Sequence, residues 1–76
     1  MTYYLLMEDD TEDSALQIGE ESFGTFYSDD NFSTLVNIVE HKKEMVKKTK
    51  VINERGDTYT VAEFLDLLTR LKVRTN

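Results

Sequence analysis

The apolar residues of this chain change their period at Phe32, and the change excludes both an all-helical and an all-β fold. Before it, short apolar or β-prone runs follow one another: Tyr3 to Met7, Ala15 to Ile18, and Phe23 to Tyr27. From Phe32 onward, Leu35, Val36, Val39, Met45 and Val46 recur at three- and four-residue spacings. That is the pattern of a helix burying one face. With 76 residues and no Cys, the chain makes one domain, residues 1–76, with no disulfide framework and a single small core.

Tyr3-Tyr4-Leu5-Leu6-Met7 is too short for a helix and reads as a central strand. Ala15 to Ile18 reads as a second strand that Gly19 breaks, with Glu8 to Ser14 as the connection. Ser22 to Tyr27 reads as a third, in which Gly24 permits a bulge, and Ser28 to Asn31 as a polar turn. The first helix is predicted from about Asn31 to about Lys47, capped by Asp30 or Asn31. Thr49 to Asn53 is a strand turned by Gly56-Asp57, and Thr58-Tyr59 returns as its partner. Thr60-Val61-Ala62-Glu63 is a capping box, and Val61, Phe64, Leu65, Leu68 and Leu71 form one apolar stripe that ends near Leu71 or Lys72. The order is ββ(β)αβ(β)α. The expected fold is α+β: a small antiparallel sheet of three to five short strands with two helices packed on one face.

The formal net charge of −6 conceals an asymmetry. Residues 1–40 hold ten acids and no Lys or Arg, whereas residues 41–76 hold five acids against nine bases, a net +4. Such a distribution steers association with a basic partner, favours contact between copies, or is neutralised within one fold. Without Cys there is no thiolate metal site and no thiol nucleophile, and a reducing, cytoplasmic compartment is expected. No apolar run approaches the roughly 20 residues of a bilayer span, so no membrane partner is expected.

Several local patterns are matched by simpler structural roles. Asp9, Thr11, Asp13, Ala15, Gln17 and Glu20 fall at the ligand positions of a twelve-residue calcium loop, but Ser14 stands where that loop needs Gly, and the preceding run is β-like. No metal or other cofactor is expected. Leu65-Asp66-Leu67 matches part of a sliding-clamp-binding motif, yet its leucines belong to the predicted core stripe. His41 is the lone histidine and has no Cys beside it, and Arg55-Gly56-Asp57 reads as a hairpin turn. Lys42, Lys43, Lys47, Lys48 and Lys50 form a basic patch that can touch phosphate, although the acidic half repels nucleic acid. No serine has an identifiable base partner, so the chain does not read as an enzyme.

The run YYLLMEDDTEDSALQIGEESFGTFYSDDNFSTLVNIVE, followed by a basic connector and GDTYTVAEFLDLL, resembles the small accessory proteins of tailed bacteriophages of marine cyanobacteria. The resemblance implies a phage protein that acts in the bacterial cytoplasm and binds host machinery; it assigns no site residues. From the residues themselves, the leading expectation is a non-catalytic module that docks on a basic protein surface. Glu8, Asp9, Asp10, Glu12, Asp13, Glu20 and Glu21 would supply attraction, and exposed aromatics such as Tyr3 or Tyr27 would supply contact. The alternatives are a structural homo-oligomer, with a homodimer favoured by the small core, a nucleic-acid mimic, a clamp-binding factor and a divalent-cation sensor.

Overall fold

The computed structural model describes residues 1–7 and 14–74. Strands β1 (Thr2–Met7), β2 (Leu16–Ser22) and β3 (Thr25–Ser28) precede helices α1 (Asp30–His41) and α2 (Lys43–Lys47). Then come β4 (Thr49–Asn53), β5 (Thr58–Thr60), α3 (Val61–Leu71) and β6 (Val73–Arg74). The strands form one six-stranded sheet in the order β5-β4-β1-β2-β3-β6. β1 is central, antiparallel to both β2 and β4. The α+β class is as expected; the sheet is not. It has six strands rather than three to five, and it is mixed, because β6 runs parallel to β3. The left-handed residue Lys72 (φ 54°) ends α3 and turns the chain into β6, where the Ser28 hydroxyl donates to the Arg74 carbonyl at 2.9 Å.

One core cluster joins the sheet to the helices. Tyr3, Leu5, Ile18, Phe26 and Val51 point to the same side as Leu35 and Ile38 of α1 and Val61, Phe64 and Leu68 of α3. α3 begins as its sequence predicts: the Glu63 amide donates to the Thr60 hydroxyl at 3.1 Å, and the Thr60 amide donates to the Glu63 carboxylate at 2.9 Å. α1 is capped by Asp29, whose side chain accepts from the Asn31 amide at 2.9 Å, rather than by Asp30 or Asn31. The predicted helix over 31–47 divides at Lys42 (φ −136°, ψ 65°) into α1 and the five-residue α2, giving three helices instead of two. Glu40-His41-Lys42-Lys43-Glu44 places five polar residues in succession, so for more than a turn no apolar side chain ties the helix to the sheet. The chain turns there, and Met45 and Val46 still reach the core.

Two corrections concern glycines. Gly19 does not end the second strand. β2 continues through it with a bulge, since Tyr3 pairs with Gly19 and Tyr4 with Gln17, leaving Ile18 as the extra residue. A Cβ on Gly19 would lie 2.3 Å from the end of the Phe26 ring and 2.5 Å from the Tyr27 carbonyl oxygen. Gly24 is not inside a strand: Phe23 (φ 53°) and Gly24 (φ 78°) are the two-residue turn between β2 and β3, closed by the pair Ser22 and Thr25.

Gly19→Ala is expected to cost at least the about 1–3 kcal/mol of core overpacking, because backbone as well as the Phe26 ring must yield. Thr60→Ala removes a cap and is expected to cost about 0.5–2 kcal/mol. Urea denaturation midpoints measure both; a Gly19→Ala midpoint equal to that of the original chain would contradict the packing described.

Candidate functional site

The two-residue turn sets the register of β2 and β3, which places Glu20 opposite Tyr27. Alternation along β3 sends Phe26 and Ser28 to the core and Tyr27 to the outer face, where it is 42% exposed. Glu20 shares that face, flanked by Thr2 on β1. On the other side Arg74 pairs with Tyr27 and lays its guanidinium 5.7 Å from the ring centroid, a cation–π contact. An exposed acid, an aromatic ring and a cation thus stand side by side across three strands.

The expected partner residues do not form one patch. Glu20 and Tyr27 are adjacent and exposed. Glu8, Asp9, Asp10, Glu12 and Asp13 lie outside the described residues. Tyr3 is a correction: only 2% exposed, it packs edge-on to Phe26 (centroids 5.8 Å apart) and against Phe64 (5.2 Å), so it offers no contact surface. Its position on the central strand, under α3, is the cause. Glu21 is also committed within the fold, since its carboxylate accepts from the Tyr3 hydroxyl at 2.8 Å. Burial, together with that bond, pushes the Tyr3 phenol well above its ordinary value of 10.0.

Farther along the outer face, an open hollow of about 490 Å³ is lined by Tyr4, Ala15, Ile52 and residues 53–56 of the β4–β5 turn. Asn53 builds that turn. Its buried side-chain oxygen accepts from the amides of Arg55 and Asp57, both at 3.0 Å, and its amide donates to the Asp57 carboxylate at 3.2 Å. Arg55 and Asp57 face each other at 3.8 Å, both exposed. Arg55-Gly56-Asp57 is therefore a hairpin turn, as its sequence reads. A smaller hollow of about 210 Å³ is lined by Lys47, Lys48, Thr49 and Lys50, part of the predicted basic patch. Gln17 and Glu20, the last candidate calcium-loop positions, stand on strand β2 where such a loop passes into a helix. Among the described residues no three His, Cys, Asp or Glu side chains gather to hold a metal ion. His41 ends α1 with Glu40 at 3.7 Å, both exposed. Leu65-Asp66-Leu67 lies in α3 between the buried Phe64 and Leu68. No helix among the described residues is long and apolar enough to cross a membrane.

Sequence reasoning missed Phe23, which is fully exposed (104%) at the hairpin tip. The signal was partial: Gly24 between two β-prone runs suits the second central position of a two-residue turn, but Phe does not suit the first. Compared with known proteins, the chain matches no family model, no curated protein and no solved structure.

The raised Tyr3 phenol predicts a pH dependence. Folding favours the protonated phenol, so its stabilising contribution is complete below the unfolded value near 10 and is lost as pH rises above it. Urea midpoints measured from about pH 8 to about pH 11, roughly two units below that value to one unit above it, are expected to fall above pH 10. The fall should be shallower in Tyr3→Phe; equal slopes would show that other groups set the alkaline limit.

Proposed function

We propose that this chain is a non-catalytic binding module of the phage-accessory type, which docks on a basic surface of a bacterial host protein through the outer face of β2 and β3. The observation that carries the reading is the cross-strand pair Glu20 and Tyr27, an exposed carboxylate beside an exposed ring in the half of the chain that holds ten acids and no bases. A carboxylate draws a Lys- or Arg-rich surface and sets register, while an aromatic ring supplies contact area at low entropic cost. Arg74 over Tyr27 is consistent with the ring's affinity for cations. An exposed contact of this kind is worth only about 0.5–1 kcal/mol, so a partner guanidinium can replace it. The acids of residues 8–13 add long-range attraction in this reading, and the bacterial cytoplasm is where such a partner is met.

The test immobilises the full chain and challenges it with host lysate across about 50 to 500 mM salt, a range that shortens electrostatic reach several-fold. Expected is a captured protein that elutes as salt rises. The double variant Glu20→Gln, Tyr27→Ala should melt with the original chain and lose most of that capture. Once the partner is purified, changing Asp9, Asp10, Glu12 and Asp13 to Asn or Gln should slow association several-fold, with less effect on dissociation. Undiminished capture by the double variant would turn the reading down.

A further inference from the structure

We propose that β6 occupies, within the chain, the place of a partner strand: the edge of β3 takes an extended segment in which an apolar residue precedes Arg or Lys, and that segment adds parallel to β3 in place of Val73–Arg74. The inference rests on the reading of Glu20 and Tyr27 as the docking face and goes beyond it. It names the form of the ligand, a strand, and the contact that keeps the site closed, the chain's own Arg74.

The molecule itself shows what this edge accepts. Val73 stands opposite Phe26 and Arg74 opposite Tyr27, in parallel register. Alternation turns Arg74 to the outer face, where its guanidinium lies 5.7 Å from the Tyr27 ring centroid, while Glu20 flanks Tyr27 from β2. The Ser28 hydroxyl fixes the backbone beside them, donating to the Arg74 carbonyl at 2.9 Å. In recognition by strand addition, main-chain pairing supplies affinity and alternate side chains supply specificity. Here the side chain read on the outer face is a cation, over a ring and near an acid.

The present occupant is weakly held. β3 has four residues, but β6 pairs with only Phe26 and Tyr27. The reason is the route of the chain: α3 runs to Leu71 and turns at Lys72, so pairing begins at Val73. Both residues of β6 are exposed, Val73 by 37% although it stands opposite the buried Phe26. Lys72 holds a left-handed backbone (φ 54°), a crowded conformation for a residue with a side chain and one it need not keep once β6 leaves. Few ladder bonds and little burial mark an element that opens locally with a small loss of free energy.

Two consequences follow for selection. β6 is too short to template a further strand, so the edge is closed to other chains until a matching segment displaces it. Its short connection to α3 keeps it at an effective concentration in the millimolar range, which a mismatched strand does not overcome. A segment that pairs along Thr25 to Ser28 gains the contacts that β6 lacks.

The test titrates the isotope-labelled full chain with the unlabelled peptide Leu-Lys-Val-Arg-Thr-Asn, the sequence of residues 71–76, to about 5 mM, the range in which it competes with tethered β6. Amide signals of Phe26, Tyr27 and Ser28 should shift saturably, and those of residues 73 and 74 should move to unstructured positions. Arg74→Ala in the labelled chain should raise the peptide's apparent affinity about two- to five-fold, the value of an exposed cation–π contact. The same peptide with Glu in place of Arg should shift nothing. No saturable shift in the Arg74→Ala chain, or shifts at β3 while residues 73 and 74 stay in place, would overturn the proposal and leave β6 as a strand that only blunts an edge. A chain that doubles its mass by exchanging β6 between copies would overturn it as well, making the occupant a second copy. None of these failures alters the loss of capture expected of Glu20→Gln, Tyr27→Ala, so the docking face and the strand exchange stand or fall separately.

Discussion

Phe26 rests where a side chain on Gly19 would be, and the rest of the molecule is arranged around that contact. Because β2 offers only a hydrogen atom there, the Phe26 ring crosses over it from β3 and reaches Tyr3 on the central strand, 5.8 Å away between centroids. The same ring meets Phe64 of α3 at 5.6 Å, and Phe64 meets Tyr3 at 5.2 Å. Aromatic pairs of this kind contribute about 0.5–1.5 kcal/mol each beyond the area they bury. Three rings drawn from residues 3, 26 and 64 therefore join the first strand, the hairpin and the last helix. In a chain with one small core and no disulfide, this triangle does the joining that a cross-link does elsewhere.

The polar groups follow from it. A tyrosine placed at the centre brings a hydroxyl that must be satisfied, and Glu21 is drawn inward to accept from it. Asp29 caps α1, and Asp30 lies in its first turn, where the helix dipole favours an acid. Two of the ten acids of residues 1–40, Glu21 and Asp29, are thus engaged within the fold, and counting charges along the sequence overstates the acidic surface. Glu20 differs because alternation along β2 carries it to the outer face.

What could be read from the sequence is what depends on neighbours in the chain. The capping box at Thr60 and Glu63, the stripe of Val61, Phe64 and Leu68, and the turn at Gly56-Asp57 are each determined within a few residues, and each forms as expected. β6 was not legible, since two residues become a strand only because α3 delivers them to β3, far away in sequence. Nor was the side to which Tyr3 points: an aromatic residue in a strand has equal claim to either face until the neighbouring strands are in place. The same gap divides the candidate site, where Glu20 and Tyr27 stayed on the surface and Tyr3 and Glu21 did not. Phe23 and the break at Lys42 are different. Their signals, a glycine between two β-prone runs and five polar residues in succession, were local, but each competed with another pattern, the alternation of a strand and the period of a helix.

The position of the core decides which side chains are left on the surface. All the core side chains that the sheet and helices share lie on one face, while Tyr4, Ile52 and Tyr27 stand partly exposed on the other. Leu6, on the same side of β1 as Tyr4, is buried, so apolar area remains on only part of the outer face. The sheet edges are poor places to use it. β5 has three residues and β6 two, too short to template another strand. The outer face and the two turns beside the start of β1 instead present rings, charges and an open hollow within a few strand spacings of one another. The packing that buries Tyr3 and Phe26 is therefore also what leaves Tyr27 and Phe23 outside.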